Sequence, residues 1–117
     1  MHLRAINTTR NCILAQKVTE ARSFVKRFKG LMGANELPVG LGLHILPCNS
    51  IHSLFMRFPI DVAFLDKHNK ILHMLHAFPP WRFGPYVIGA RSALELPAGT
   101  LQCMGTHRGD VLAFEAR

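Results

Sequence analysis

The clearest strand signal of the chain lies in the stretch Ile60-Asp61-Val62-Ala63-Phe64-Leu65-Asp66-Lys67-His68-Asn69-Lys70-Ile71-Leu72-His73-Met74-Leu75-His76-Ala77. Its first six residues form an apolar run of strand length that follows a proline, Pro59. Asp66 to Asn69 are polar and typical of a turn, and Lys70 to Ala77 return as an apolar-rich partner. The stretch therefore predicts a β-hairpin.

Other short apolar-rich runs flank this hairpin along the chain. They cover residues 3–7, 12–18, 40–46, 50–56, 93–96 and 111–116. Six to eight strands of this length predict a mainly antiparallel sheet, curled like a barrel so that its edges are covered. Pro97-Ala98-Gly99 opens either a turn or a short second helix toward Met104.

One segment, at about residues 20–31, has the periodicity of a helix instead. Thr19 is placed as an N-cap, and Gly30 and Gly33 mark the end. Apolar residues recur at helical spacing from Ala21 to Met32, and the opposite face carries Arg22, Lys26 and Lys29. The pattern predicts a clear amphipathic helix, and with the strands it places the chain in the α+β class.

Composition restricts the class of protein. The chain has 117 residues, of which 49% are hydrophobic and 18% charged, so we expect residues 1–117 to form a single domain with its own core. No apolar run is long enough to span a bilayer, and the N-terminus does not resemble a secretory signal. These features predict a cytoplasmic protein. Three widely spaced cysteines favour free thiols over disulfides.

Three segments in series carry a family resemblance. They are Arg27-Phe28-Lys29-Gly30-Leu31-Met32, the stretch from Ile51 to Asp66, and Leu94-Glu95-Leu96-Pro97-Ala98-Gly99-Thr100 followed by Gly109-Asp110. In this order and spacing they resemble the bacterial and archaeal family catalogued as domain of unknown function 192. The resemblance implies a compact mixed domain built on a barrel-like antiparallel sheet. It implies no established cofactor or catalytic residue.

Two acidic residues interrupt apolar runs and are candidates for a functional site. Asp61 lies between Ile60 and Val62, where an ionised carboxylate is costly unless it is paired or hydrogen-bonded. It either contacts a ligand or caps the Phe58-Pro59 turn through backbone N–H groups. Glu95 either borders a cleft or, as the pattern favours, lies in solvent beside Arg91.

His44, Cys48 and His52 are spaced four residues apart, as zinc ligands on a helix would be. Pro47 argues against a helix here, so we predict no metal site. Cys48 with His52 as its base would make a nucleophilic pair, but no nucleophile signature accompanies them.

The segment from Phe78 to Tyr86 holds the only Trp and the only Tyr, among four prolines and glycines. Aromatic groups on a stiff loop suit the binding of a sugar, a base or a peptide. The alternative is that Trp81 and Phe83 cover an open end of the sheet.

Three functional hypotheses follow. The favoured one is a non-enzymatic domain that binds a small ligand or a protein partner, without a cofactor and as a monomer. Its candidate residues are His52, Met56, Arg57, Asp61, Trp81, Arg82 and Glu95. The first alternative is a small hydrolase or lyase that uses Asp61, His52 and Glu95. The second, less favoured, is electrostatic binding of nucleic acid or an acidic partner by Arg22, Lys26, Arg27 and Lys29.

Overall fold

A computed structural model describes residues 2–116; Met1 and Arg117, the ends of the predicted domain 1–117, lie outside this range. It contains seven strands in one sheet and two short helices. In chain order the elements are β1 (Leu3–Asn7), β2 (Cys12–Ala21), α1 (Phe24–Lys29), β3 (Leu41–Ile45), β4 (Ile60–Leu65), β5 (Ile71–Phe78), β6 (Ser92–Pro97), α2 (Thr100–Cys103) and β7 (Leu112–Ala116). The predicted hairpin is confirmed as β4 and β5.

The strand order across the sheet is β5-β4-β6-β3-β2-β1-β7. All neighbours are antiparallel except β2 and β3, which are parallel. The sheet curls so far that Lys70, before β5, forms a bridge with Val111, before β7. The N–H of Leu112 also donates to the carbonyl of Asn69 at 2.9 Å. The barrel-like curl predicted from the sequence is present, and these bonds join the edge strands at one end.

The concave face of the curled sheet carries the larger apolar core. Its buried residues come from β1, β2, β4, β5, β6, α2 and β7: Ala5, Leu14, Ala15, Val18, Ala63, Leu65, Ile71, Leu94, Leu96, Leu101 and Leu112. Because nearly every strand contributes to this core, its burial holds the curl closed. α2 lies at one end and contributes Leu101.

The convex face of β4, β6 and β3 carries a second apolar layer. Ile60, Val62, Phe64 and Ala93 on the sheet pack against Ile51 and other residues of the long connections. α1 and the connections of residues 46–59 and 79–91 cover this face. The candidate site forms between this layer and the sheet.

The α+β assignment and the amphipathic helix over about residues 20–31 are wrong, because the protein is mainly β. β2 continues through Thr19, Glu20 and Ala21, which pair in parallel with β3. The N-cap is Ser23, whose hydroxyl accepts the N–H of Lys26 at 3.1 Å. The remaining helix has six residues, none of them buried, and Phe24 is 74% exposed. Sheet hydrogen bonds thus override the local helical periodicity.

The strand predicted over residues 50–56 is also absent, apart from a bridge between His52 and Phe83. This connection instead pairs irregularly with the Trp81 segment. Gly84 donates to the carbonyl of Ile51 at 2.8 Å, and Ser53 donates to the carbonyl of Arg82 at 2.8 Å. A Cβ at residue 84 would lie 3.0 Å from the Ile51 oxygen, so the close approach favours glycine. No helix within residues 2–116 is long and apolar enough to cross a membrane.

Candidate functional site

Asp61 is fully buried on the concave side of β4 and has a structural role. Its two carboxylate oxygens accept the backbone N–H groups of Ala77 and Leu101, each at 2.9 Å. Ala77 lies at an irregularity of the β4–β5 ladder and has a φ of 49°, while Leu101 is in the first turn of α2. Asp61 therefore joins a distorted strand to a helix N-terminus. The predicted N–H acceptance occurs, but not at the Phe58-Pro59 turn.

Glu95 lies on the opposite, convex face. It pairs with Val62 of β4, whereas Asp61 pairs with Leu96 of β6, and paired residues share a face of the sheet. The two carboxyl groups therefore cannot converge on one substrate. Glu95 is 2% exposed, so the expectation of a solvent-exposed residue beside Arg91 is wrong.

The surroundings of Glu95 do not offset the free-energy cost of burying its carboxyl group. Its Oε1 atom has no hydrogen-bond partner, and its cross-strand neighbours are aliphatic, Leu43 and Val62. Burial raises the pKa of the Glu95 carboxyl from 4.5 to about 8. At neutral pH the side chain is therefore a neutral carboxylic acid.

Two adjacent spaces lie beside α1 and the segment of residues 45–52, and one of them reaches Glu95 of β6. The outer one, here called the helix groove, has a volume of about 560 Å³, and its walls include Phe24, Phe28, Pro47 and Arg91. The inner one, here called the Glu95 chamber, has about 40 Å³ and includes Glu95 and Gly30. Both spaces are bordered by Arg27, Phe28, Ile45, Cys48, Ser50 and His52. The groove and the chamber are therefore neighbours, and the volume of the groove is that of an ordinary ligand pocket.

Arg27 is held at the boundary between the two spaces. One of its terminal nitrogens, Nη1, donates to the carbonyl of Pro47 at 3.2 Å. Its Nε atom is buried and has no partner. A guanidinium N–H can only donate, so Arg27 has an unused donor.

His52, a predicted site residue, borders the same spaces, but both of its ring nitrogens are occupied. The N–H of Leu54 donates to Nδ1 at 3.2 Å, which places the ring proton on Nε2. Nε2 then donates to the carbonyl of Phe28 at 3.0 Å. The ring also contacts that of Phe28, with centroids 5.1 Å apart. His52 is therefore placed to fix α1 over the chamber rather than to act as a base.

Cys48 does not have the properties of a nucleophile. Its Sγ lies 2.9 Å from the carbonyl oxygen of Ser50, and burial raises the pKa of the thiol. His44 points to the other side of the sheet and stacks on Phe114, with centroids 4.1 Å apart. Among residues 2–116, no three His, Cys, Asp or Glu side chains group closely enough to hold a metal ion.

The other predicted site residues lie elsewhere. Met56 is buried in the convex apolar layer, and Arg57 donates to Asn35 at 2.7 Å. Trp81 is exposed and packs on Phe55, with centroids 4.6 Å apart, so it does not cover an end of the sheet. Arg82 donates to the carbonyl of Trp81 at 3.3 Å.

The basic residues of the helix region do not lie in one continuous row of free side chains. Arg22 precedes α1 and pairs with Glu20 at 3.2 Å, and Arg27 turns toward the groove. Lys26 is exposed on α1, whereas Lys29 borders the chamber.

Sequence reasoning missed the aromatic wall of the groove. Phe24 and Phe28 belong to the predicted apolar face of a helix, but helical spacing alone does not say what that face contacts. Gly30 was assigned only as a terminator. A Cβ at this residue would lie 3.9 Å from Glu95 Oε1, so Gly30 also forms part of the chamber wall.

Residues 5–114 match the DUF192 family, described as "Uncharacterized ACR". The chain belongs to this family. It is 35% identical to a UPF0127 protein of Thermococcus sibiricus, over 94% of this chain and 73% of the relative. It is 33% identical to a UPF0127 protein of Pyrococcus furiosus, over 93% of this chain and 96% of the relative.

Two solved structures share the DUF192 fold of this chain. A protein of unknown function from Novosphingobium aromaticivorans superposes with a TM-score of 0.83, at 19% identity, over 97% of this chain and 84% of that one. A putative transcription regulator from Sinorhizobium meliloti superposes with a TM-score of 0.78, also at 19% identity, over 97% of this chain and 92% of that one. At these identities the likeness establishes the fold alone.

The family resemblance now has a structural explanation. Asp61 of the second segment bonds to Leu101, which directly follows the Leu-Pro-Ala-Gly-Thr turn of the third. Asp110 accepts hydrogen bonds from Asn7, Arg10 and His107 and so fixes the connection before β7. Glu95 of the third segment and Gly30 of the first meet at the chamber. The three segments therefore combine fold-determining contacts with the buried carboxyl group of Glu95 on the convex face.

Proposed function

We propose that this DUF192 domain is a non-enzymatic binding protein whose ligand is a small organic anion held in the helix groove. The observation that carries the proposal is the composition of the groove walls. Phe24 and Phe28 offer aromatic surface, and Arg27 and Arg91 offer positive charge. None of the residues that border the groove is acidic. A groove of this kind suits a molecule with an anionic head and an apolar body.

The absence of an assembled acid–base pair supports binding rather than catalysis. Asp61 and Glu95 are on opposite faces, and both nitrogens of His52 are used. The hydrolase or lyase hypothesis requires these three groups to converge, so it is not supported. The nucleic-acid hypothesis requires free basic groups along one face, and Arg22 and Arg27 are already engaged.

The test is a titration followed by ¹H–¹⁵N NMR, with phenylacetate, benzoate and hexanoate as probes and phenylacetamide as a neutral control. We expect amide shifts that cluster at residues 24–30 and 45–52 with the anions and are weaker with the amide. Arg27→Gln removes the charge at the boundary and is expected to weaken anion binding about 10-fold or more.

Lys67→Gln is the matched control, because it removes one positive charge from the exposed β4–β5 turn. Binding that is unaffected by Arg27→Gln, or equally weakened by both substitutions, would contradict the proposal. So would a lack of response to all three anions.

A further inference from the structure

Two of the residues that border the Glu95 chamber each have a buried polar atom without a hydrogen-bond partner. One is Glu95 Oε1 on β6, and the other is Arg27 Nε on α1. Both residues border the chamber, whose volume of about 40 Å³ is enough for a small polar group. Buried polar atoms are nearly always hydrogen-bonded in folded proteins, so two such atoms around one space indicate a missing partner.

The chemistry of the two side chains restricts that partner. Arg27 can only donate, so the group it meets must accept, and an anionic oxygen accepts best. An ionised Glu95 could also only accept, and it would repel a second anion in this enclosed space. A protonated Glu95 can donate its O–H, and both side chains then serve the same oxyanion.

We propose that Glu95 binds the ligand as a neutral acid, donating its O–H to an oxygen of the anionic head group beside Arg27. This inference rests on the proposed function and specifies its chemistry. The head group is a small oxyanion such as a carboxylate, and the site accepts it only while Glu95 keeps its proton. No covalent bond changes, and the proton stays between the carboxyl group and the ligand.

The groups that surround Glu95 come from its own sheet face and from the layer that covers it. On its own face, the neighbouring strands present Leu43 and Val62. From the covering layer, the ionisable residues at the chamber are Arg27, Lys29, Cys48 and His52. His52 uses both ring nitrogens, and burial raises the pKa of the Cys48 thiol.

The direction of the pH dependence follows from burial. The pKa of Glu95 is about 8 in the free protein, and a bound anion raises it further. The affinity is therefore constant at neutral pH and falls as the pH rises through this value. For one linked proton the fall approaches about 10-fold per pH unit.

The experiment is isothermal titration calorimetry of the whole chain with phenylacetate, from about pH 6 to about pH 10. At about pH 9 the wild type is expected to take up close to one proton on binding, measured in two buffers of different ionisation enthalpy. Glu95→Gln keeps a neutral donor, so its affinity is expected to stay within about threefold of the wild type at neutral pH and to be flat above it.

Glu115→Gln, at an exposed residue of β7, is the control and should retain the wild-type profile. Glu95→Leu removes the donor and should lose binding throughout, while its thermal transition reports whether it folds. Binding without pH dependence, or a Glu95→Gln profile equal to the wild type, overturns this inference and leaves the proposed function standing. No binding at any pH overturns both.

Discussion

The two faces of the β4–β6 pair each bury one carboxyl group, and they treat it in opposite ways. On the concave face, Asp61 accepts two backbone N–H groups at 2.9 Å. On the convex face, Glu95 has an oxygen without any partner. A buried acid that receives hydrogen bonds holds a fold together, whereas one without partners costs stability and is available for a ligand. The comparison separates the structural half of the molecule from its candidate functional half.

The largest expected effect comes from breaking the concave side. Asp61→Ala leaves the buried N–H of Leu101 and the part-buried N–H of Ala77 unpaired, so we expect a loss of about 3–5 kcal/mol in the free energy of unfolding. Urea denaturation followed by circular dichroism measures it. Asp66→Ala is the matched control, because Asp66 accepts two N–H groups at an exposed turn. Similar losses in both variants would refute the structural role assigned to Asp61.

On the convex side, we expect substitution of the buried acid to raise the free energy of unfolding rather than lower it. The pKa of Glu95 is raised to about 8 in the folded state, so folding takes up a proton between about pH 4.5 and pH 8. Stability therefore falls as the pH rises through this window, and the cost at pH 7 is roughly 3 kcal/mol. Glu95→Gln removes the linkage and should be more stable than the wild type at neutral pH. A variant that is less stable than the wild type at both ends of the window would contradict the buried neutral acid.

His44 extends the comparison to a buried base. Its ring nitrogens have no partners, and burial lowers its pKa from 6.5 to about 4. As the pH falls, His44 takes up its proton at a higher pH in the unfolded chain than in the folded protein. This residue therefore makes the protein less stable as the pH falls below about 6.5. His44→Phe keeps the stacking on Phe114 and should recover about 2 kcal/mol relative to the wild type at about pH 5. Parallel acid-unfolding curves for the two proteins would exclude this account.

The smallest effect is expected at Trp81. Its side chain is 55% exposed, and the segment is held by Ser53, whose hydroxyl donates to the carbonyl of Pro79. Trp81→Ala should change the free energy of unfolding by less than about 0.5 kcal/mol. Ser53→Ala, which leaves the Arg82 N–H unpaired, should cost about 1–2 kcal/mol. Thermal denaturation of the two variants checks the order, and a larger loss at Trp81 would show that the aromatic side chain stabilises the layer.

Local patterns predicted much of the sheet because strands and turns depend on near neighbours. The two apolar-rich runs and the Asp66–Asn69 turn were enough for the β4–β5 hairpin. The residues on either side of Glu95 were correctly assigned to a strand. The helix prediction failed at Thr19 to Ala21, because their hydrogen bonds to β3 join residues distant in sequence. No local propensity reports the presence of such a partner.

The candidate site was predicted only in part. His52 and Glu95 were named from the sequence, and the structure brings both to one chamber. Met56, Arg57 and Trp81 were named for their residue types, but each packs or bonds elsewhere. Residue type shows what a side chain can do, whereas its partners depend on which elements cover it.

The sequence by itself determined most of the strands, the curl of the sheet and the presence of two acidic residues in apolar surroundings. Only the tertiary structure decided which of the two acids has hydrogen-bond partners. The strand register places Asp61 and Glu95 on opposite faces of the sheet. α2 and the distorted strand β5 supply N–H donors to one, while α1 and aliphatic neighbours enclose the other. Whether a buried acid is hydrogen-bonded depends on donors from distant parts of the chain, and only folding brings them together.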